Sequence, residues 1–211
     1  LRKSPYLACS LISMYSKCGE LSEARKVLEE LPVRDMASWS ALISGYAQHD
    51  LGHEALDCFE RMKRDGFAPN KITFTSLLKA CGGVKCIHSG KKIHDEIVSQ
   101  GLLENDVVLG TALVGMYAKC GMLTKAQEVL EKLPFRDVVA WSALISGYAE
   151  QGQGQGALTC FWQMQKDGIS PNEVTFLCAL KACSSIGALK EGKRIHDEII
   201  VRDLLHDNIV L

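Results

Sequence analysis

Apolar residues recur along this chain at the spacing of one helical face. Trp39, Leu42, Ile43 and Tyr46 stand at i, i+3, i+4 and i+7, and Ala55, Leu56, Phe59 and Met62 form a second stripe after Asp50-Leu51-Gly52. Gly66 follows that stripe in the place of a helix C-cap, and Pro69 stops the helix from continuing. Residues 36–70 therefore read as two antiparallel helices. Lys71–Asp106 repeats the plan with Phe74, Leu77, Leu78 and Cys81, then Ile93, Ile97 and Val98. Val107–Asp137 is shorter, with Leu113, Val114 and Tyr117, then Cys120-Gly121, then Ala126, Val129, Leu130 and Leu133. No stretch alternates with the period of two that marks a half-buried strand. The predicted fold class is all-α.

The pattern also repeats on a longer scale. Trp39 recurs as Trp141, Cys18 as Cys120, Pro69 as Pro171 and Asn70 as Asn172, always 102 residues on. Aligning 5–106 on 107–208 gives 50 identities in 102 positions. A single helical hairpin cannot bury its own apolar face, whereas stacked hairpins bury a continuous core. The expectation is an α-solenoid of about six helix-turn-helix repeats, at 5–35, 36–70, 71–106, 107–137, 138–172 and 173–208. Residues 209–211 would start a further repeat. With no polar capping repeat at either end and no initiator Met before Leu1, the chain reads as a piece of a longer array.

Composition changes this picture little. Hydrophobic residues make up 47% and charged residues 23%, as in ordinary folded proteins. No apolar run is long enough to span a membrane. The formal net charge of −1 excludes a uniformly basic surface, so a positive patch for nucleic acid would have to be local. Of nine Cys, six fall in register between the blocks (Cys18/Cys120, Cys58/Cys160, Cys81/Cys183), which marks them as reduced packing thiols rather than a disulfide framework.

Repeat lengths of 31, 35 and 36 residues in fixed order resemble the S, P and L motifs of the plant PLS-class pentatricopeptide-repeat (PPR) family. The strings that carry the likeness are MYSKCGELSEARKVLEELPVRD and MYAKCGMLTKAQEVLEKLPFRD for S. SWSALISGYAQ and AWSALISGYAE match P, and LLKACGGVKCIHSGKKIHDEI and LKACSSIGALKEGKRIHDEI match L. The resemblance implies a right-handed superhelix that is monomeric, needs no cofactor or metal, and binds single-stranded RNA in a mitochondrion or plastid. It further implies service in RNA processing or C-to-U editing, with editing-complex proteins as further partners. Any deaminase activity would lie in a C-terminal domain absent here, so the chain itself is expected not to be an enzyme. One base per repeat is the reading scheme known for such arrays.

By the same resemblance, the fifth and last residues of each repeat contact a base edge. The base-reading pairs are then Ser40 with Asn70, Thr75 with Asp106, Thr111 with Asp137 and Ser142 with Asn172. Weaker members are Cys9 with Asp35 and Leu177 with Asn208. Leu177 has no hydrogen-bonding group. Second residues sandwich the base: Tyr6, Ala37, Ile72, Val108, Val139 and Val174. The family rule assigns adenine to Ser or Thr with Asn, and guanine to Thr with Asp, with L repeats following it poorly. The chemistry suits the task, since hydroxyls and amides donate and accept while carboxylates only accept. Asp and Asn just before a helix are, however, also ordinary N-caps. Positions 2, 5, 9 and 13 share one side of the first helix. That side carries Lys17, Lys79, Lys119 and Lys181, candidates for phosphate contact.

Two motifs imitate other chemistry. His94-Asp95-Glu96 and His196-Asp197-Glu198 match half of a zinc-deaminase signature, but no C-x-x-C accompanies them. Gly152, Gly154 and Gly156 fall at an interhelical turn rather than a phosphate loop. The alternative to RNA binding is a protein-binding scaffold of tetratricopeptide type, suggested by Trp39-x2-Leu42, Tyr46 and Ala55-x3-Phe59, although its strict 34-residue period is absent.

Overall fold

The computed structural model describes residues 5–103 and 106–202; Asn208 and residues 209–211, which enter the expectations above, lie outside them. Twelve α-helices and no strand are found among the described residues. They run α1 (Pro5–Lys17), α2 (Leu21–Glu29), α3 (Met36–Gln48), α4 (Gly52–Arg64), α5 (Lys71–Gly83) and α6 (Ile87–Ser99). The second half follows as α7 (Val107–Lys119), α8 (Leu123–Lys132), α9 (Val138–Glu150), α10 (Gly154–Lys166), α11 (Glu173–Ile186) and α12 (Leu189–Val201). The described residues form an all-α solenoid of six antiparallel hairpins.

Odd-numbered helices pack side by side in one layer. Even-numbered helices pack on the odd helix of their own hairpin and on the next one, without reaching each other's backbones. The odd layer is thus the more closely spaced, and the array bends towards it, making it the inner face. Glycine permits that spacing. A Cβ at Gly147 in α9 would lie 2.8 Å from Ala118 Cβ of α7, and one at Gly45 in α3 would overlap Ser16 of α1.

Each odd-to-even turn uses the same device. A residue with positive φ (Gly19, Asp50, Lys85, Gly121, Gly152 or Gly187) reverses the chain. The next amide donates to a carbonyl five residues back, as Glu20 does to Tyr15 and Met122 to Tyr117, closing a Schellman turn. Charged pairs tie even-numbered hairpin ends together across the outer surface. Arg34–Asp65 and Arg136–Asp167, both 3.0 Å, recur at the 102-residue offset. The core is continuous and centres on Trp39, Phe74, Tyr117, Trp141, Phe161 and Phe176 with the aliphatic stripes around them.

Candidate nucleic-acid interface

Five odd helices begin at a side-chain cap. Asp35 Oδ1 accepts from the Ser38 amide (2.7 Å), Asn70 from Thr73 (2.9 Å), Asp106 from Leu109 (3.0 Å), Asp137 from Ala140 (2.8 Å) and Asn172 from Thr175 (3.0 Å). The capping bond occupies one oxygen and so fixes what the other atom offers. Capped Asn presents its NH2, a donor; capped Asp presents its second carboxylate oxygen, an acceptor. The two roles weighed for these residues in the sequence are therefore compatible in one side chain.

The fifth-position hydroxyls lie beside these caps. Thr111 Oγ1 sits 3.4 Å from Asp137 Oδ1, and Ser142 Oγ 3.5 Å from Asn172 Oδ1. At these lengths the contacts record proximity more than bond strength; Ser142 donates its stronger bond to the Val138 carbonyl at 2.6 Å. Ser40 reaches Asn70 indirectly, its Oγ 2.8 Å from Thr73 Oγ1, which in turn bonds Asn70 Oδ1 at 2.9 Å. Ser40 and Ser142 are only 5% and 8% exposed, so they form the floor of the face and not its rim. Thr75 and Thr111 are half-buried. Cys9 is half-buried and Leu177 exposed.

The second-position side chains stand out into solvent. Ile72, Val108, Val139 and Val174 are 51–65% exposed, Tyr6 is 86% exposed, and Ala37 is exposed as well. A single exposed aliphatic residue is unremarkable. The same position left bare in every hairpin is an ordered row of apolar walls. A groove of about 350 Å³ along α1, α3 and α5 joins Ala37 and Ile72 to Ser40, Asn70, Cys9 and Lys17. Lys17, Lys79, Lys119 and Lys181 are all exposed, and none forms an ion pair among the described residues.

One feature of this face is absent from the sequence expectations. The Asp106 Oδ2 atom is paired with Lys71 Nζ at 2.8 Å. The Lys71 hydrogen bond, aided by the Leu109 amide, holds the Asp106 carboxyl below its ordinary range. No pattern in the sequence points to this pair, because the two residues belong to different helices. Inner-face hydroxyl contacts such as Ser44–Ser76 (2.8 Å) were missed for the same reason.

The first histidine motif resolves into packing, whereas His196, its counterpart in the second block, is exposed. His94 Nδ1 hydrogen-bonds the Tyr117 hydroxyl at 2.7 Å, with the rings edge to face. Burial lowers its pKa and pushes that of Tyr117 up to about 12. Gly154 lies where a Cβ would meet the Ala182 carbonyl oxygen at 2.8 Å, so it serves helix approach. All nine Cys are free thiols, and burial pushes Cys58, Cys81 and Cys160 up to about 12.

Fold and face together define a helical-repeat solenoid with a polar inner floor, an apolar row and free lysines. The profile described as PPR repeat family matches residues 34–83 and 136–185, and the PPR repeat profile matches 8–36 and 111–138. A pentatricopeptide repeat-containing protein of Arabidopsis thaliana is 41% identical over 196 residues, covering 93% of this chain and 25% of that protein. A putative mitochondrial one from the same plant is 40% identical over 199 residues, covering 94% and 32%. The maize pentatricopeptide repeat protein PPR10, crystallised with an 18-nt psaJ RNA element, superposes with a TM-score of 0.74 at 21% identity, covering 91% of this chain and 29% of that one. The chain belongs to the pentatricopeptide repeat family, which removes the tetratricopeptide alternative. It spans about a quarter to two fifths of the length of the curated relatives it matches.

Proposed function

We propose that this chain reads single-stranded RNA one base per repeat, as a PLS-type section of a longer organellar protein. The carrying observation is the coupling of a capped Asp or Asn, whose second atom is free to face a base, with a bare aliphatic residue at its side. Repeats begin at residues 5, 36, 71, 107, 138 and 173, so each cap is both the last residue of one repeat and the anchor of the next helix. Val108, Val139 and Val174 flank successive bases, and Lys17, Lys79, Lys119 and Lys181 meet phosphates.

The pairing chemistry follows from the caps. At Thr111 and Asp137 the free carboxylate oxygen accepts from guanine N1–H and N2–H. At Ser142 and Asn172, and at Ser40 and Asn70, the free amide donates to a ring nitrogen of adenine, while the hydroxyl, its own proton engaged by the Val138 carbonyl or by Thr73, accepts from the adenine amino group. With the N-terminus towards the RNA 5′ end, the core motif is A, a weakly read base, G, then A. Chloroplastic and mitochondrial names among the relatives support an organellar site of action, and the maize protein's RNA complex supports the ligand class. RNA processing or C-to-U editing, with editing-complex proteins as partners, is the service that fits a PLS section.

Asn172→Asp tests this reading with little cost to folding, because Asp and Asn cap helices about equally well. RNA selection on the variant should move the final core position from A towards G and leave the others unchanged. The same base returned by both proteins would make Asn172 a cap only.

A further inference from the structure

Resting on that reading, we infer that Lys71 silences base reading by the repeat 71–106, making it a specificity-determining residue outside the second, fifth and last positions. In this repeat both carboxylate oxygens of Asp106 are engaged, Oδ1 by the Leu109 amide and Oδ2 by the Lys71 ammonium. The charge that would attract guanine N–H groups is neutralised in place. Thr75 donates its hydroxyl to the Lys71 carbonyl at 2.9 Å, just as Ser142 donates to Val138 at 2.6 Å, so what distinguishes this repeat is the engaged carboxylate and not the hydroxyl.

Two further observations set this repeat apart. Lys71 opens α5, whereas the other described odd helices begin with Pro5, Met36, Val107, Val138 and Glu173, none of them cationic. A cation at a helix N-terminus faces the positive end of the helix dipole, so the position offers Lys71 nothing from its own helix and the partner carboxylate is what favours it. The Asp106 backbone is also turned, with ψ of 94° against 166–179° at Asp35, Asn70, Asp137 and Asn172. The Asp106 side chain is 14% exposed, while that of Lys71 is 57% exposed. Substituting the lysine therefore disturbs no core contact.

The test compares wild type, Lys71→Met (the residue that opens α3) and Lys71→Arg on RNAs that carry each of the four bases opposite this repeat within a fixed A-N-G-A core. Wild type and Lys71→Arg should treat the four bases alike. Lys71→Met should gain a guanine preference of roughly three- to tenfold, the range expected of one or two net hydrogen bonds. Ratios among bases are read, so a uniform affinity loss from removing one charge does not interfere. Side-chain carboxyl titration by NMR provides a readout without RNA, and the Asp106 carboxyl should titrate at higher pH in Lys71→Met. A wild type already selecting guanine here, a Lys71→Met protein that stays indifferent at this base alone, or an unmoved Asp106 titration each overturns the inference. Indifference to base at every position in all three proteins overturns the RNA reading and this inference with it.

Discussion

The blocks 5–106 and 107–208 share half their residues and repeat the same hairpins, yet they achieve the same turns and joints with different chemistry. At the joint between α1 and α3, His49 Nε2 lies 2.7 Å from the Ser16 carbonyl oxygen; at the corresponding joint between α7 and α9, Gln151 Nε2 donates to the Ala118 carbonyl at 3.3 Å. At the turns, Asp50 and Lys85 hold positive φ in the first block where Gly152 and Gly187 hold it in the second. On the outer surface, Arg25, Glu29 and Arg61 form a charged cluster, whereas the second block places Gln127, Glu131 and Gln163 there. What is shared is therefore the path of the backbone and the spacing of the inner layer. The side chains that serve that path are replaceable. Substitutions that move one block towards the other should be tolerated, and those that break a shared feature should not.

The largest effect is expected at a shared feature. Alanine normally favours a helix interior over glycine by about 1 kcal/mol, yet Gly45→Ala and Gly147→Ala would both force the inner helices apart. At Gly45 the added carbon meets Ser16 Oγ and Cβ, and at Gly147 it meets Ala118 Cβ at 2.8 Å and Cα at 3.3 Å. Overpacking of this kind costs about 1–3 kcal/mol. Gly45→Ala should show the larger fall in urea midpoint, because its neighbour intrudes further. A stabilised variant at either site would show that the helix spacing is not the shared constraint.

The joint between the blocks carries a pH dependence that begins near neutrality. His94 belongs to the first block and Tyr117 to the second. Burial, with Lys125 and Lys132 adding to it, depresses the His94 pKa from its ordinary 6.5, while Asp95 opposes. The folded state thus prefers the neutral ring, and between the depressed pKa and about 6.5 the unfolded chain binds more protons. Stability should be full above pH 6.5, fall as pH drops through that window by at most about 1.36 kcal/mol per pH unit, and level off below it. His94→Gln should flatten this part of the curve. Thermal unfolding from pH 7.5 to 5 measures it, and an unchanged slope would remove His94 as the source.

The turns offer a reciprocal exchange. Lysine in the left-handed region carries a penalty of about 1–2 kcal/mol, part of which glycine returns through its greater unfolded freedom, about 0.5–1 kcal/mol. Lys85→Gly should therefore stabilise by about 0.5–1 kcal/mol, and Gly187→Lys should destabilise correspondingly. Asp50→Gly should gain less, since a short polar side chain visits this region more readily.

The turns also show where a sequence is readable. The helices were legible because the stripe around Trp39 or Trp141 follows the helical period, and the caps because Asp and Asn precede those stripes. Exposure of Ile72, Val108, Val139 and Val174 could be placed on one face by spacing alone. Asp50 and Lys85 carry no glycine to announce their φ. Lys71–Asp106, His94–Tyr117 and Ser40–Thr73 join residues 35, 23 and 33 positions apart, and such pairs depend on how hairpins stack, which no local pattern encodes.

The smallest effect is expected on the outer surface, where the blocks differ most. Glu29 is held by Arg25 at 2.9 Å and Arg61 at 3.1 Å, and these guanidiniums, Arg25 foremost, lower its carboxyl pKa. A lowered carboxyl contributes stability above its unfolded pKa and loses it as pH falls through the folded value. The Glu29 side chain remains 40% exposed, so solvent screens most of the attraction. Arg61 also stacks near the Trp39 ring at 5.9 Å, a contact that Gln163 does not make with Trp141. Arg61→Gln should cost about 0.3–0.5 kcal/mol at low salt and less at 1 M. The reverse change, Gln163→Arg, faces Glu131 at the equivalent place and should return a similar amount to the second block, again only at low salt. Equal effects at both salt concentrations would trace the change to packing against the tryptophan and not to charge.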